Sequence, residues 1–459
     1  MKQILTLFVA TILFSTLALK AEKQPNIIYI NVDDLGWADL SCQGSKYYQT
    51  PNIDKLASQG MSFSNAYAAS ANCAPSRACA LTGQNTPRHG VYTVQNSDRG
   101  RARDRKLIPI KNTLSIKNSN LTIGGALKKA GYVTATVGKW HVTKDPLKNG
   151  FDINIAGNHA GGPYTGGYHS PYKFPNCKSN KKGEYLTDRL TDEAMKIIED
   201  HKSKKFFLYL PYYTVHSPWQ GKKEKVKKYK KLKKSKAHNN PQYAAMIESL
   251  DENIGRLMKK LDDLGLAKNT LVLFTSDNGG VWKISKQWPL RGGKGCYYEG
   301  GIREPLFVRW PGRIKAGTKS DTPVNNLDFF PTFLDAVKAS KPKNKILDGV
   351  SILPVLTGKG KLKKRALYWH FPIYLQATTK NNHEIRDLKF RTRPGSVIRY
   401  GKWKLHEYFE DGGLELYDLS KDISEKNNLA SKNHKKVKEL HTMLKKWRQK
   451  TNAPAPTKL

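Results

Sequence analysis

Four polar groupings stand at the ends of short apolar runs in this 459-residue sequence. Asp33-Asp34 closes the β-branched run 25–32, and Lys139 and His141 follow the run 132–137. His216 lies in the loop after 206–210, and Ser276-Asp277-Asn278-Gly279-Gly280 follows 270–275. Asp33, Asp34, Asp277 and Asn278 offer only oxygen donors. Hard divalent cations, Ca²⁺ or Mg²⁺, take such ligands, whereas zinc more usually recruits His or Cys. Asp-Asp is also a common cap and Asp-Asn-Gly-Gly a common turn, but both at strand ends of one chain point to a metal. Cys73 opens Cys73-Ala-Pro-Ser-Arg77, with Pro75 suited to a first helical turn and Gly83 to the helix end. This places Cys73 just before a helix N-terminus, where unpaired N–H groups favour an anion. A lone cysteine is more commonly a small buried hydrophobe. Lys139 and Lys294, the latter in the glycine loop Arg291-Gly-Gly-Lys-Gly295, add cations, and His141 and His216 add acid–base groups. Each of these alone also reads as a structural or solvated side chain.

The elements that must position them alternate. Helical patterns at 52–59, 121–130, 186–200 and 243–264 separate the apolar runs, and 305–310 is one more strand-like run. Alternating strands and helices imply an α/β fold: a large mixed, mainly parallel sheet sandwiched by helices. Ligands in such sheets collect outside the carboxyl ends of the strands, so the four groupings are expected to meet at one edge. From about residue 365 the texture changes. Short strand-like runs at 366–371, 396–399, 403–408 and 414–418 imply a small antiparallel sheet, followed by a basic closing helix over 435–450. The expected divisions are a leader at 1–21, a catalytic domain over 22–360 and a C-terminal subdomain over 361–459.

The chain carries 79 Lys plus Arg against 38 Asp plus Glu, a formal charge of +41. Its 38% hydrophobic content is enough for a core, which excludes a wholly disordered polycation. The charge suggests an anionic partner and says nothing of fold. Its densest run, 222–236, carries Val226, Tyr229 and Leu232 at helical spacing and reads as a solvated helix with a thin apolar seam. The basic start Met1-Lys2, the apolar run 4–19 and small residues at Ala18 and Ala21 read as a secretory signal peptide. The mature protein is then expected outside a cell or in a periplasm, without a stable membrane anchor. Five cysteines, Cys42, Cys73, Cys79, Cys177 and Cys296, leave one thiol over if the others pair. Their spacing fits no zinc pattern.

Taken together, these segments resemble the type I, formylglycine-dependent sulfatases of the alkaline phosphatase superfamily. Cys73-Ala-Pro-Ser-Arg77 with Thr82-Gly83 matches that family's maturation motif. Asp33-Asp34-Leu-Gly-Trp37, Gly138-Lys-Trp-His141, Val215-His-Ser-Pro218, Thr275-Ser-Asp-Asn-Gly-Gly280 and Gly292-Gly-Lys294 also match, in the family's order. The match is strong from 25 to about 335 and looser through Gly401-Lys-Trp-Lys404 and Glu415-Leu-Tyr-Asp-Leu419.

The resemblance implies that a maturation enzyme oxidises Cys73 to formylglycine, an aldehyde that hydrates to a diol. It implies a Ca²⁺, with Mg²⁺ as the alternative, held by Asp33, Asp34, Asp277, Asn278 and the modified Cys73. Asp277 would assist deprotonation of the attacking hydroxyl, and His216 would protonate the leaving alcohol. His141 would take a proton as sulfate departs, Arg77 and Lys139 would hold the formylglycine, and Lys294 with Lys139 would neutralise sulfate. A serine or threonine nucleophile with two zinc ions would mark a phosphatase or phosphodiesterase of the same superfamily instead, and a pseudo-sulfatase would bind polyanions without turnover. The intact motifs favour a sulfatase. Secretion and basic charge make sulfated polysaccharide the expected substrate and exclude nucleic acid. The expected specificity segments are 96–105, 159–172 and 370–393, with His159, His169, Tyr172, Trp219 and His370 as candidate contacts.

Overall fold

The structure, a computed structural model, describes residues 23–117, 121–377 and 384–459. The expected leader at 1–21 lies outside the described residues. The main sheet has β1 (Asn26–Val32), β2 (Met61–Phe63), β3 (Val133–Val137), β4 (Ile153–Ile155), β5 (Phe206–Pro211), β6 (Thr270–Ser276), β7 (Leu306–Arg309) and β8 (Thr318–Ser320). Their spatial order is β8-β2-β7-β6-β1-β5-β3-β4. β1 pairs in parallel with β5 and β6, with Ile30 opposite Leu210 and Phe274. β3 extends the parallel set on β5, and β4 on β3. β7 alone runs antiparallel, to both β6 and β2. An apolar run states burial and not direction, so the reading at 305–310 carried no sign of this reversal.

β1 is buried along its whole length, as a near-continuous apolar strand between helical layers should be. Successive side chains point to opposite faces. Ile28, Ile30 and Val32 join the core that includes Ile53 and Leu56 of α1 (Pro51–Ser58), Leu190 of α4 (Leu186–Asp200) and Leu250 of α6 (Pro241–Asp263). Ile27 and Tyr29 join the opposite core, with Ala78 and Leu81 of α2 (Cys73–Thr82) and Leu127 of α3 (Ile123–Lys129). Local signals fix the ends. Asn240 accepts from the N–H groups of Gln242 and Tyr243 to start α6, and Thr122 accepts from Gly125 N–H to start α3. Gly83 ends α2 at φ +65°, a conformation that costs other residues a Cβ clash.

α5 (Lys223–Lys231) buries Val226 and Tyr229, while Lys225 pairs with Glu248 and Glu252 of α6. The charge run is therefore a packed helix whose lysines are partly neutralised. All five cysteines are unpaired, so the expectation of one leftover thiol had no force here. Beyond α6 and β8 the chain forms β9 (Ala366–Phe371), β10 (Leu375–Gln376), β11 (Phe390–Thr392), β12 (Gly395–Tyr400), β13 (Trp403–Tyr408) and β14 (Leu414–Asp418). β9-β12-β13-β14 is an antiparallel sheet, and β10 pairs with β11 as a separate ribbon. α7 (His434–Thr451) covers the sheet with Leu440, Leu444 and Trp447 on Ile398, Leu405 and Leu416. No helix among the described residues is long and apolar enough to cross a membrane.

Candidate active site

The strand ends converge. β1 delivers Asp33 and Asp34, β3 leads to Lys139 and His141, β5 to His216, and β6 to Asp277 and Asn278. Asp34 and His141 both sit at φ +60°, outside the comfortable range of most side chains. Such conformations cost about 1–3 kcal/mol and collect where function fixes the backbone. Cys73 is the first residue of α2 rather than the one before it, with Asn72 at the N-cap. α2 is buried throughout, so the reacting position rests on a rigid element. One ligand atom each from Asp33, Cys73 and Asp277 lie within 4.8 Å of one another.

Fixed cations surround these groups. Lys139 Nζ donates to Asp33 Oδ2 at 2.6 Å, and Arg77 Nε donates to Asp277 Oδ2 at 2.8 Å. Arg77 Nη1 also donates to the Lys139 carbonyl at 2.7 Å. Lys294 Nζ sits between the oxygens of Asp34, at 2.6 and 2.7 Å. Asn278 Nδ2 donates to Asp34 Oδ1 at 2.8 Å, and the Asp34 N–H to Asp277 Oδ1 at 3.2 Å. His216 Nε2 is 3.8 Å from Asp34 Oδ2. His141 is buried on the same side, against Gly161, where a Cβ would come within 2.9 Å of its ring.

Burial and charge set the proton affinities. Burial lifts Asp277 to about 6 even beside Arg77, and it raises Asp33 as well. Burial also acts to raise Asp34, but Lys294, His216 and Lys139 hold it well below the usual carboxylate range. Burial together with Lys294 and Lys139 lowers His216 to about 3. Burial, Lys139 and Arg77 push His141 well below its ordinary value.

The residues fit a hard cation. Asp33 Oδ1 and Asn278 Oδ1 are buried and accept no hydrogen bond from the described residues. Buried oxygens without a proton donor are rare, and a cation satisfies them. The same pocket holds Arg77 Nη2 without an acceptor, 3.7 Å from Asp33 Oδ1. Free oxygens for a metal thus stand beside a free donor for an anion.

The family model for sulfatases matches residues 25–339. The chain belongs to the sulfatase family. It is a sulfuric ester hydrolase, with a second match over 293–452 to the C-terminal region of N-sulphoglucosamine sulphohydrolase. It is 33% identical to a sulfatase of Formosa agariphila, covering 95% of this chain and 90% of that one. It is 32% identical to human N-acetylgalactosamine-6-sulfatase, over 79% of this chain and 72% of that protein. Among solved structures, Ps i-CgsB, determined alone and with k-i-k-neocarrahexaose, superposes with a TM-score of 0.76 at 30% identity, covering 93% of each chain.

Around this sulfatase site the candidate contacts divide. His159 lies 6.0 Å from His141, ring to ring, with Nε2 3.1 Å from Ser115 Oγ. His169 packs on Tyr185, Tyr172 donates from its buried hydroxyl to Glu184, and Trp219 packs against the core. His370 is buried between Ser396 and the Pro454 carbonyl. Those four positions serve the fold. Sequence reasoning passed over Tyr164, which is 65% exposed with its ring 5.9 Å from that of His216. Its only signal was its place in the glycine- and tyrosine-rich stretch 159–172.

Glu304 was also missed. It is 1% exposed, and burial together with Asp277, Asp34 and Asp39 pushes its carboxyl well above the usual range. It is therefore a buried acid whose charged form is disfavoured, close to Asp277 and Asp34. Glu304→Met, which keeps the side chain's length and removes both polar oxygens, is expected to change the unfolding free energy by less than about 1.5 kcal/mol. Denaturant unfolding checks this, and a loss above about 2 kcal/mol would show that Glu304 is ionised in the fold.

Proposed function

We propose that this chain is a secreted sulfatase that removes sulfate esters from sulfated carbohydrate, through a formylglycine formed from Cys73 and a bound Ca²⁺. The single observation that carries the reading is the cluster of Asp33, Cys73 and Asp277 ringed by Arg77, Lys139 and Lys294. Asp33, Asp34, Asp277 and Asn278 would hold the Ca²⁺, which lends electrostatic stabilisation to a sulfate oxygen. Formylglycine at position 73, hydrated to its diol, would supply the nucleophilic oxygen.

The chain's own side chains do the rest. Lys139 and Lys294 neutralise sulfate as charge builds on its outer oxygens. Arg77, fixed by Asp277 and the Lys139 carbonyl, directs its free Nη2 toward the pocket and orients residue 73. Asp277, with an oxygen within 4.8 Å of the reacting atom of residue 73, would assist removal of the attacking hydroxyl's proton. His216 gives a proton to the leaving sugar oxygen. Burial, Lys294 and Lys139 disfavour its charged form in the substrate-free site. His141 accepts the proton released as sulfate leaves.

Sulfated carbohydrate is supported by the relatives: one is named N-acetylgalactosamine-6-sulfatase and another was solved with k-i-k-neocarrahexaose. Secretion is supported by the leader pattern at 1–21. Incubation with defined sulfated oligosaccharides and small aryl sulfates is expected to release sulfate from sugars. Protein from the native host is expected to carry an aldehyde-reactive peptide at position 73. An unmodified thiol there, or aryl sulfate turnover with every sugar untouched, would refute the reading.

A further inference from the structure

The loop that carries Lys294 is clasped by the ribbon β10–β11. Thr392 Oγ1 donates to the Gly295 carbonyl at 2.5 Å, and Arg391 Nη1 donates to the Lys294 carbonyl at 3.3 Å. Arg391 Nε donates to the Gln376 carbonyl at 3.1 Å across the ribbon. The guanidinium therefore touches the backbone of the residue whose side chain grips Asp34. The segment of Arg99 is docked on the same ribbon. Tyr374 N–H donates to the Ser97 carbonyl at 3.0 Å, and a Cβ on Gly100 would come within 2.6 Å of the Phe390 ring.

The cations of these two segments differ sharply in their partners. Arg386 pairs with Asp411, Lys389 with Asp104, Arg393 with Asp387 and Glu410, and Arg101 with Asp104. Among the described residues, Arg391 donates to carbonyls alone. Among the described residues, no carboxylate or carbonyl meets Arg99. The two guanidiniums repel each other, and Arg391 is close enough to Asp34 and Cys73 for their charges to act on it. Two half-buried arginines, on segments that touch where Gly100 meets the Phe390 ring, therefore meet no carboxylate among the described residues, and Arg391 lies against the loop that carries Lys294. A planar guanidinium binds sulfate or carboxylate through paired N–H donors.

We infer that Arg99 and Arg391 form a second anion subsite, which holds a further sulfate or carboxylate of the carbohydrate while one sulfate ester occupies the catalytic pocket. This rests on the sulfated-carbohydrate reading and sharpens it: the preferred substrate carries at least two anionic groups on the same or adjacent sugars.

The test compares oligosaccharides carrying one sulfate, two sulfates, or one sulfate and one uronate carboxylate. For each enzyme form the readout is the ratio of kcat/KM on a doubly charged substrate to that on the singly charged one. Arg99→Ala and Arg391→Gln are each expected to lower this ratio about ten-fold, mainly through KM. Among the described residues no hydrogen bond to Arg99 would be broken by its loss, so Arg99→Ala keeps the test open if Arg391→Gln unfolds. Arg103→Ala removes an exposed charge from the same loop and is expected to leave the ratio unchanged. A larger drop with the disulfated or with the uronate substrate identifies which anion the subsite prefers. An unchanged ratio in Arg99→Ala with both, or a wild type that prefers the singly charged sugar, overturns the inference. A wild type that releases no sulfate from any sugar overturns the functional reading instead.

Discussion

Cys73→Ala is expected to remove sulfate release, lowering kcat/KM by about 10³-fold or more, with little change in thermal stability. The magnitude is that of deleting a catalytic nucleophile while binding groups remain. Stability is expected to hold because position 73 is the first residue of a fully buried helix, where Ala keeps the backbone and removes only Sγ. What is lost is the atom that lies within 4.8 Å of ligand oxygens on Asp33 and Asp277. Cys73→Ser separates two explanations. Serine supplies an oxygen that can attack sulfur, but the ester it forms has no second oxygen on the same carbon to expel it, so water would have to attack again. Cys73→Ser is therefore expected to stall with sulfate bound to the chain, detectable as an increase in intact mass. Sulfate release and mass spectrometry on the three proteins check both statements. Full turnover in Cys73→Ala would place the chemistry elsewhere.

The meeting of Asp33, Lys139, His216 and Asp277 was legible because a parallel sheet turns sequence position into spatial position: each lies just past the end of a strand, and those ends share one edge. Cys73, Arg77 and Lys294 join from a helix start and a glycine loop, and only the motif resemblance brought them to the same place. Strand direction was illegible at Leu306–Arg309, since buried parallel and antiparallel strands share one apolar pattern. The basic residues were the least legible. Whether a lysine or arginine is free depends on acids far away in sequence, as when Asp104 meets Lys389 or Asp411 meets Arg386. Arg99 and Arg391 therefore looked like any other part of the excess charge until their neighbours were placed. Glu304 was hidden for the same reason, its raised proton affinity coming from burial and then from Asp277, Asp34 and Asp39, all distant in sequence.

Lys404→Met is expected to cost about 3–5 kcal/mol of stability at neutral pH, the usual effect of removing one partner from a buried ionic cluster. Lys404 Nζ lies 2.9 Å from a carboxylate oxygen of Glu299 and 2.9 Å from one of Glu425, with all three side chains at 0% exposure. Arg303 Nε and the Tyr67 hydroxyl also donate to Glu299, and the Glu299 N–H donates to Glu425. Without Lys404, two buried carboxylates face each other with less compensation. The cluster links β13 of the C-terminal sheet to the segment just after the Lys294 loop, so sulfate release is expected to weaken along with the fold. Acidity supplies the sign that distinguishes electrostatics from lost packing. Burial acts to raise Glu299, but Lys404, Arg303 and Arg399 hold it well below the usual carboxylate range. In the wild type this contribution is present above the ordinary glutamate pKa of about 4.3 and fades as pH falls below it. In Lys404→Met the remaining carboxylates are pushed upward, so protonation relieves them and the deficit narrows on acidification. Urea unfolding of both proteins at pH 7 and near pH 4.5 measures this. A deficit equal at both pH values would assign the loss to the packing of the lysine stem rather than to its charge.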